Sequence, residues 1–261
     1  MQNAMAGRLG ERSGGVVRAI ATAGLVVVPL LARGQPSAPS TPSLPFAIGE
    51  RLDYRVRVSA AGDIGKGSMW IEGPVDVRGS QTVVLRSRFD AKVAWMKAFS
   101  ETQSWLDLST MSSLRFQKHE SQPLSKSKEY VDIYPDESRW TSPLGGSGTS
   151  LTCAPLDELA FIYYIRTLPL TDSLLVSNRH YDAARNPVNI RLLRRQTIHT
   201  GTATYQTVVV EMRVRDAKRF KEEGVITLYL TDDERRIPVR IESPAPLLGT
   251  AIFTLTSITT N

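Results

Sequence analysis

The stretch Pro155-Leu-Asp-Glu-Leu-Ala-Phe-Ile-Tyr-Tyr-Ile-Arg-Thr167 decides the fold. It carries helix punctuation. Pro155 suits a first helical position. Asp157 and Glu158 fall in the first turn and Arg166 in the last, where each charge suits the helix dipole. Leu156, Leu159, Phe161, Ile162, Tyr163 and Ile165 cover most azimuths. A helix without a polar face must be buried on most sides, and the sequence around it is strand-like. The expectation is a mainly β protein: a curved antiparallel sheet, half-barrel to barrel, wrapped around one central apolar helix at about 155–167. Leu159, Ile162 and Tyr163 should meet sheet residues from both halves of the chain.

Outward from the helix the period is two. Leu52, Tyr54, Val56 and Val58 alternate with Arg51, Asp53, Arg55 and Arg57, the pattern of a half-buried strand. Further strands are predicted at 68–72, 81–89, 101–108, 114–120 and 129–134. Beyond the helix they follow at 174–181, 188–195, 204–215, 224–231, 236–242 and 249–257. Connections this short favour antiparallel pairing, since they cannot hold crossover helices. Pro143-Leu-Gly-Gly-Ser-Gly-Thr-Ser150 reads as a break before the helix. Asp232-Asp233-Glu234 reads as a hairpin tip. Pro238 cannot donate a ladder hydrogen bond, so its strand should be an edge or carry a bulge there. Ile237, Val239 and Ile241 should face the core, leaving Arg236 and Arg240 at the rim.

Residues 1–34 read as a signal peptide: Arg8, Arg12 and Arg18, then the apolar run Ala19 to Leu31, then Ala32-Arg33-Gly34. Residues 35–45, rich in Pro, Ser and Thr, read as a disordered tether, and 46–261 as a single β-rich domain. An uncleaved anchor is the alternative for the first segment. Removing residues 1–34 leaves 28 basic and 25 acidic groups, a net of +3 against +6 for the whole chain. That is an ordinary surface and not a nucleic-acid footprint. The one cysteine, Cys153, allows no internal disulfide and no N-terminal lipidation; it reads as a small buried hydrophobe. The expected location is the periplasm or outer-membrane periphery of a bacterium, with no transmembrane span after cleavage.

No catalytic constellation emerges. His119, His180 and His199 have no metal-ligand spacing. Gly145-Gly-Ser147-Gly148 lacks the second glycine of a nucleophile elbow, and Ser125-Lys-Ser-Lys128 leads into a strand where a helix would be needed. Asp157/Glu158 and Asp232/Asp233 are carboxylate pairs in structural positions. No catalytic, metal or cofactor residue is therefore assigned.

Three segments together resemble a known family. They are Gly49-Glu50-x-Leu52-x-Tyr54; Pro155-Leu156-Asp157-x-Leu159-Ala160-x-Ile162-Tyr163-Tyr164-x-Arg166-Thr167-Leu168-Pro169-Leu170; and Leu230-Thr231-Asp232-Asp233-x-Arg235-Arg236-Ile237-Pro238-Val239-Arg240. The chain resembles the bacterial exported proteins of domain of unknown function 3108 over about 46–258. The resemblance implies an antiparallel curved sheet around a helix, loosely similar to the periplasmic lipoprotein-carrier half-barrels. It brings no established activity.

The functional expectation is a non-enzymatic envelope protein that holds a lipid, an acyl chain or a lipoprotein segment in an apolar groove. Trp95 and Phe99, in an apolar loop between strands, Tyr163 on the helix, and Arg236 and Arg240 at a rim are the candidate ligand-binding residues. Two alternatives remain open: a scaffold that binds an envelope protein through a sheet edge or the Trp95 loop, and a hydrolase-like enzyme acting on an envelope polymer or lipid.

Overall fold

Eight strands precede a single α-helix and six follow it in a computed structural model that describes residues 44–93, 96–122, 125–171, 173–201, 203–216, 223–245 and 249–260. Residues 1–34, most of 35–45, and Trp95 lie outside the described residues. The first half comprises β1 (Arg51–Val58), β2 (Gly62–Val77), β3 (Ser80–Val93), β4 (Met96–Asp107), β5 (Ser112–Gln122), β6 (Ser125–Tyr134), β7 (Arg139–Thr141) and β8 (Ser147–Thr149). The helix α1 spans Glu158–Thr167. The second half comprises β9 (Leu174–Ser177), β10 (Val188–His199), β11 (Thr204–Arg215), β12 (Glu223–Thr231), β13 (Pro238–Ala245) and β14 (Gly249–Thr259). All described residues belong to one unit, 43–261.

The strands form one open antiparallel sheet in the order β8-β7-β6-β5-β4-β3-β2-β1-β14-β13-β12-β11-β10-β9. Each half is a meander, and the halves join where β1 pairs with β14. The chain therefore walks from the middle of the sheet to one edge, passes through α1, and returns from the other edge. β8 arises inside the Gly-rich break at 143–150 that the sequence presents as loop, and β7 just ahead of it. Three-residue strands are too short to carry a period of two, which is why they escape notice.

A second junction lies at the residues before α1. Ser113 N–H donates to the Pro155 carbonyl at 2.8 Å, Leu156 N–H to the Arg179 carbonyl at 2.6 Å, and Tyr181 N–H to the Leu156 carbonyl at 3.0 Å. One tripeptide thus bonds to β5 of the first half and to the approach to β10 of the second. Pro155 is consequently not a helical residue. Asp157 is the N-cap, and its carboxylate accepts from the Leu159 and Ala160 amides at 2.9 Å each.

The main core holds Leu52, Tyr54, Met69, Leu85 and Leu106 from the first half. It joins them to Ile190, Val210, Leu228, Val239 and Leu255 from the second, with Leu159, Phe161, Tyr163 and Ile165 between. Ile162 and Tyr164 remain half-exposed, so the helix has one lightly covered flank where full burial was expected. Polar side chains cover it instead: the Arg179 guanidinium lies 4.5 Å from the Tyr164 ring centroid.

The last turn of α1 carries a guanidinium driven fully inside. The Arg166 side chain is 0% exposed and its partner Glu50 7%. Arg166 Nη1 and Nη2 donate to the two Glu50 carboxylate oxygens at 2.6 and 2.8 Å. Nη2 also reaches the Pro45 carbonyl at 2.7 Å and the Arg235 carbonyl at 3.1 Å. Gly49, at φ 91°, makes the turn that delivers Glu50, a conformation costly for residues with a Cβ. Its amide holds the Ile71 carbonyl at 3.0 Å. Glu50→Gln leaves a buried guanidinium without its counter-charge and should cost about 3–5 kcal/mol, read as a fall in chemical-denaturation midpoint. Tyr163 gives the opposite case. Its hydroxyl is buried with no hydrogen-bond partner, so Tyr163→Phe should stabilise the fold by about 1 kcal/mol; a loss of stability in the same assay would contradict this reading of the core.

Candidate functional site

Around the start of α1 the two halves meet in a layer of charged groups. Arg185 Nη1 lies 2.8 Å from Glu158, and Nη2 lies 3.5 Å from Glu129 and 3.6 Å from Asp216. Lys118, nearly buried on β5, lies 3.0 Å from Glu158 and 3.3 Å from Glu120. The Tyr181 hydroxyl donates to Glu129. Burial pushes the Asp157 carboxyl up to about 6, against hydrogen bonds from Ser104 and from the Ala160 and Leu159 amides. Burial, reinforced by the Arg185 charge, pulls the His180 imidazole down to about 3. Asp182 N–H donates to His180 Nδ1 at 3.0 Å, which assigns the ring proton to Nε2. That nitrogen has no partner. The adjoining cavity, about 60 Å³, is lined by Glu158, Phe161, His180, Arg185, Met212 and Asp216 among others. It is far below the ~300 Å³ that a small organic ligand needs. Among the described residues no group of three or more His, Cys, Asp or Glu is placed to hold a metal ion.

Two larger recesses are open grooves at the surface. One, about 380 Å³, is polar and lined by Glu101, Gln103, Gln117, His119, Lys128 and Tyr130 with their neighbours. The other, about 400 Å³, runs past Ile48, Pro74, Val83 and Leu108 at the ends of β2, β3 and β4.

The structure does not gather the expected ligand residues into one place. Trp95 lies outside the described residues. Phe99, half-buried on β4, meets the His119 ring edge-on at 4.8 Å. It sits five strand positions from β13, which carries Arg240. Tyr163 cannot line an accessible groove: it is fully buried, with the Phe46 ring 5.1 Å away. Arg236 belongs to the β12–β13 turn, at φ 48°, and not to the strand. It pairs with Asp232 at 3.3 Å, as Arg240 pairs with Glu242 at 2.6 Å. Both point away from the buried Ile237, Val239 and Ile241, as the register of this hairpin requires. A register shift opposite Pro238 accommodates the proline inside the sheet. Asp233 is a turn residue, accepting from the Arg235 and Arg236 amides and the Thr231 hydroxyl. Cys153, expected inside, is exposed; it precedes the tripeptide junction and packs in neither half.

The exposed apolar side chains are more informative. Leu174, Leu175 and Val176 are 56%, 39% and 53% exposed, and all lie on β9 at the end of the sheet. The sequence pattern places a strand at 174–181 but does not say whether a neighbouring strand covers it.

With this geometry the comparisons are informative about lineage. The DUF3108 family, described as proteins of unknown function, matches residues 53–256. The chain belongs to that family. No curated protein matches it. Among solved structures, this DUF3108 protein is similar to a β-barrel-like protein of domain of unknown function DUF1849 from Brucella abortus. The identity is 10%, coverage is 82% of this chain and 98% of that one, and the TM-score is 0.57. At that identity the likeness is one of fold. A protein with a YmcC-like fold from Bacteroides fragilis matches at 10% identity over 82% and 97% of the two chains, with a TM-score of 0.30 too low to support a fold argument. No helix among the described residues is long and apolar enough to cross a membrane.

The His180 environment fixes a pH response. Its ionisation is depressed in the folded state, so its stabilising contribution is complete above the ordinary value of 6.5 and is lost as pH falls toward about 3. Asp157, raised to about 6, acts in the opposite sense: it favours the fold increasingly as pH falls from 6 toward 3.8. His180→Gln removes the first effect and leaves the second. The stability gap between wild type and His180→Gln should therefore narrow by about 2–3 kcal/mol between pH 7 and pH 4.5, measured by urea unfolding at both values. A constant gap would refute a neutral buried His180.

Proposed function

We propose that this DUF3108 protein is a non-enzymatic binding module of the bacterial cell envelope, and that it binds an extended polypeptide segment along the open sheet edge at β9. The carrying observation is the exposure of Leu174, Leu175 and Val176 on a strand with no neighbour beyond it among the described residues. An apolar edge strand presents unpaired N–H and C=O groups beside greasy side chains, which is a template for strand addition. Natural sheets usually blunt such an edge with charge or proline; β9 has neither.

The reading includes a sheet that curls about α1, loosely like the periplasmic lipoprotein-carrier half-barrels. Support comes from the junction at 155–157. β5 and β9 stand ten steps apart in the sheet, roughly 48 Å if flat. One tripeptide bonds both to β5 and to the chain just beyond β9. Curling brings the halves to the same place and fills the interior with side chains, which moves binding to the surface. A second reading, a lipid or acyl chain in the groove beside Ile48, is favoured by the apolar lining of that 400 Å³ recess and the 44% exposure of Ile48.

The two readings separate in one experiment. A photoreactive residue is placed at Leu175 or at Ile48 in the full chain, and the envelope is irradiated. The edge reading expects a discrete protein adduct from position 175 that disappears when Leu174→Ser and Val176→Ser are added. Those exposed changes should shift stability by no more than about 0.5–1 kcal/mol. A lipid adduct from position 48, with nothing edge-dependent from 175, would replace the edge reading with the groove.

A further inference from the structure

The open edge continues past β9 and changes character. β9 covers only Val188–Arg191 of β10. From Leu192 to His199, β10 has β11 on one side and no strand on the other among the described residues. This uncovered part displays Leu193, Arg194, Arg195, Gln196 and Thr197 to solvent. Arg195 leans on Asp232 at 3.1 Å. Arg194 donates to Gln196, and no carboxylate among the described residues pairs with Arg194 or with exposed Arg191. Along this side of the sheet the chain therefore offers three apolar side chains on β9 and, on the neighbouring strand β10, the exposed guanidinium groups of Arg191 and Arg194; the carboxylate opposite Arg191, Glu211, is engaged by Arg213 at 2.7 Å.

Resting on the edge reading above, we propose that the occupant is an acidic, extended polypeptide segment, which adds as a strand beside β9 and runs on along β10 with carboxylates against Arg191 and Arg194. Three physical constraints select it. Open backbone donors and acceptors in ladder register are satisfied by another extended chain, whereas hydrocarbon leaves them unmet. The uncompensated charge is positive, and guanidinium groups bind carboxylates in a two-pronged geometry that fixes register as well as affinity. A second copy of this chain is the weaker match, because an isologous pair brings the same uncompensated cations to one interface from both sides.

The test uses the full chain and two blocked synthetic peptides of about ten residues, one alternating Val and Asp and one alternating Val and Lys, long enough to span β9 and the uncovered part of β10. Fluorescence anisotropy at low and high salt reads binding. The Val/Asp peptide should bind, weaken with salt, and bind about tenfold more weakly to Arg191→Glu/Arg194→Glu, the loss of two partly exposed ion pairs. The Val/Lys peptide should not bind. Equal binding of both peptides, or Val/Asp binding unchanged in the charge-reversed variant, overturns the acidic occupant and leaves the edge reading standing if Leu174→Ser/Val176→Ser abolishes it. Val/Asp binding that persists in Leu174→Ser/Val176→Ser places the acid site elsewhere and overturns both. If neither peptide binds while phosphatidylglycerol vesicles sediment the wild-type chain but not the charge-reversed one, the partner is a lipid surface and the proposal falls.

Discussion

One buried ion pair holds three separated parts of the chain in register. Arg166 sits at the end of α1, Glu50 just ahead of β1, and the Arg235 carbonyl in the β12–β13 turn. The guanidinium has five donors in a fixed fork, and this site supplies oxygens from Glu50, Pro45 and Arg235. A buried charge is costly unless so enclosed. The rest of the structure follows from that requirement. The helix cannot slide without leaving a cation in the core. The segment 45–50 cannot leave without exposing Phe46, whose ring covers Tyr163 and lies 5.4 Å from the guanidinium.

The opposite end of α1 obeys a looser constraint. There the carboxylates of Glu129, Glu158 and Asp216 surround Arg185, and Lys118 shares Glu158. Lys118, Arg185 and Asp216 are nearly buried, whereas Glu129 and Glu158 keep partial contact with water. Their arrangement matters, because it fills the meeting place of the two halves with polar groups and leaves only a small cavity beside His180. A core pinned at one end and closed by charge at the other has little room for a guest. That is why the proposed binding is placed at the periphery, where β9 and the uncovered part of β10 are the conspicuous features.

Much of the strand map was legible in the sequence. Twelve strands were placed by their period, and β1 alternates in the structure as it does in the sequence. The hairpin tip at 232–234 and the irregularity at Pro238 follow from local backbone chemistry alone. The site was not legible in the same way. Tyr163 looked like a groove residue because an apolar helix under a sheet does not reveal whether the space beside it is filled. Arg166 looked like a dipole partner because its counter-charge lies 116 positions away. Nothing local marked Leu174 to Val176 as an edge, because hydrophobicity reports preference, whereas exposure depends on whether another strand arrives.

Local sequence by itself determined the antiparallel strands, the helix α1 and the turn at Asp233, since each depends on the order of neighbouring side chains and on backbone sterics. Only the tertiary structure decided that both ends of the chain's described part meet at β1 and β14, that Glu50 neutralises Arg166, and that β9 is left as an edge. Those outcomes depend on which distant strands compete for the same hydrogen-bonding partners, and no local pattern carries that information.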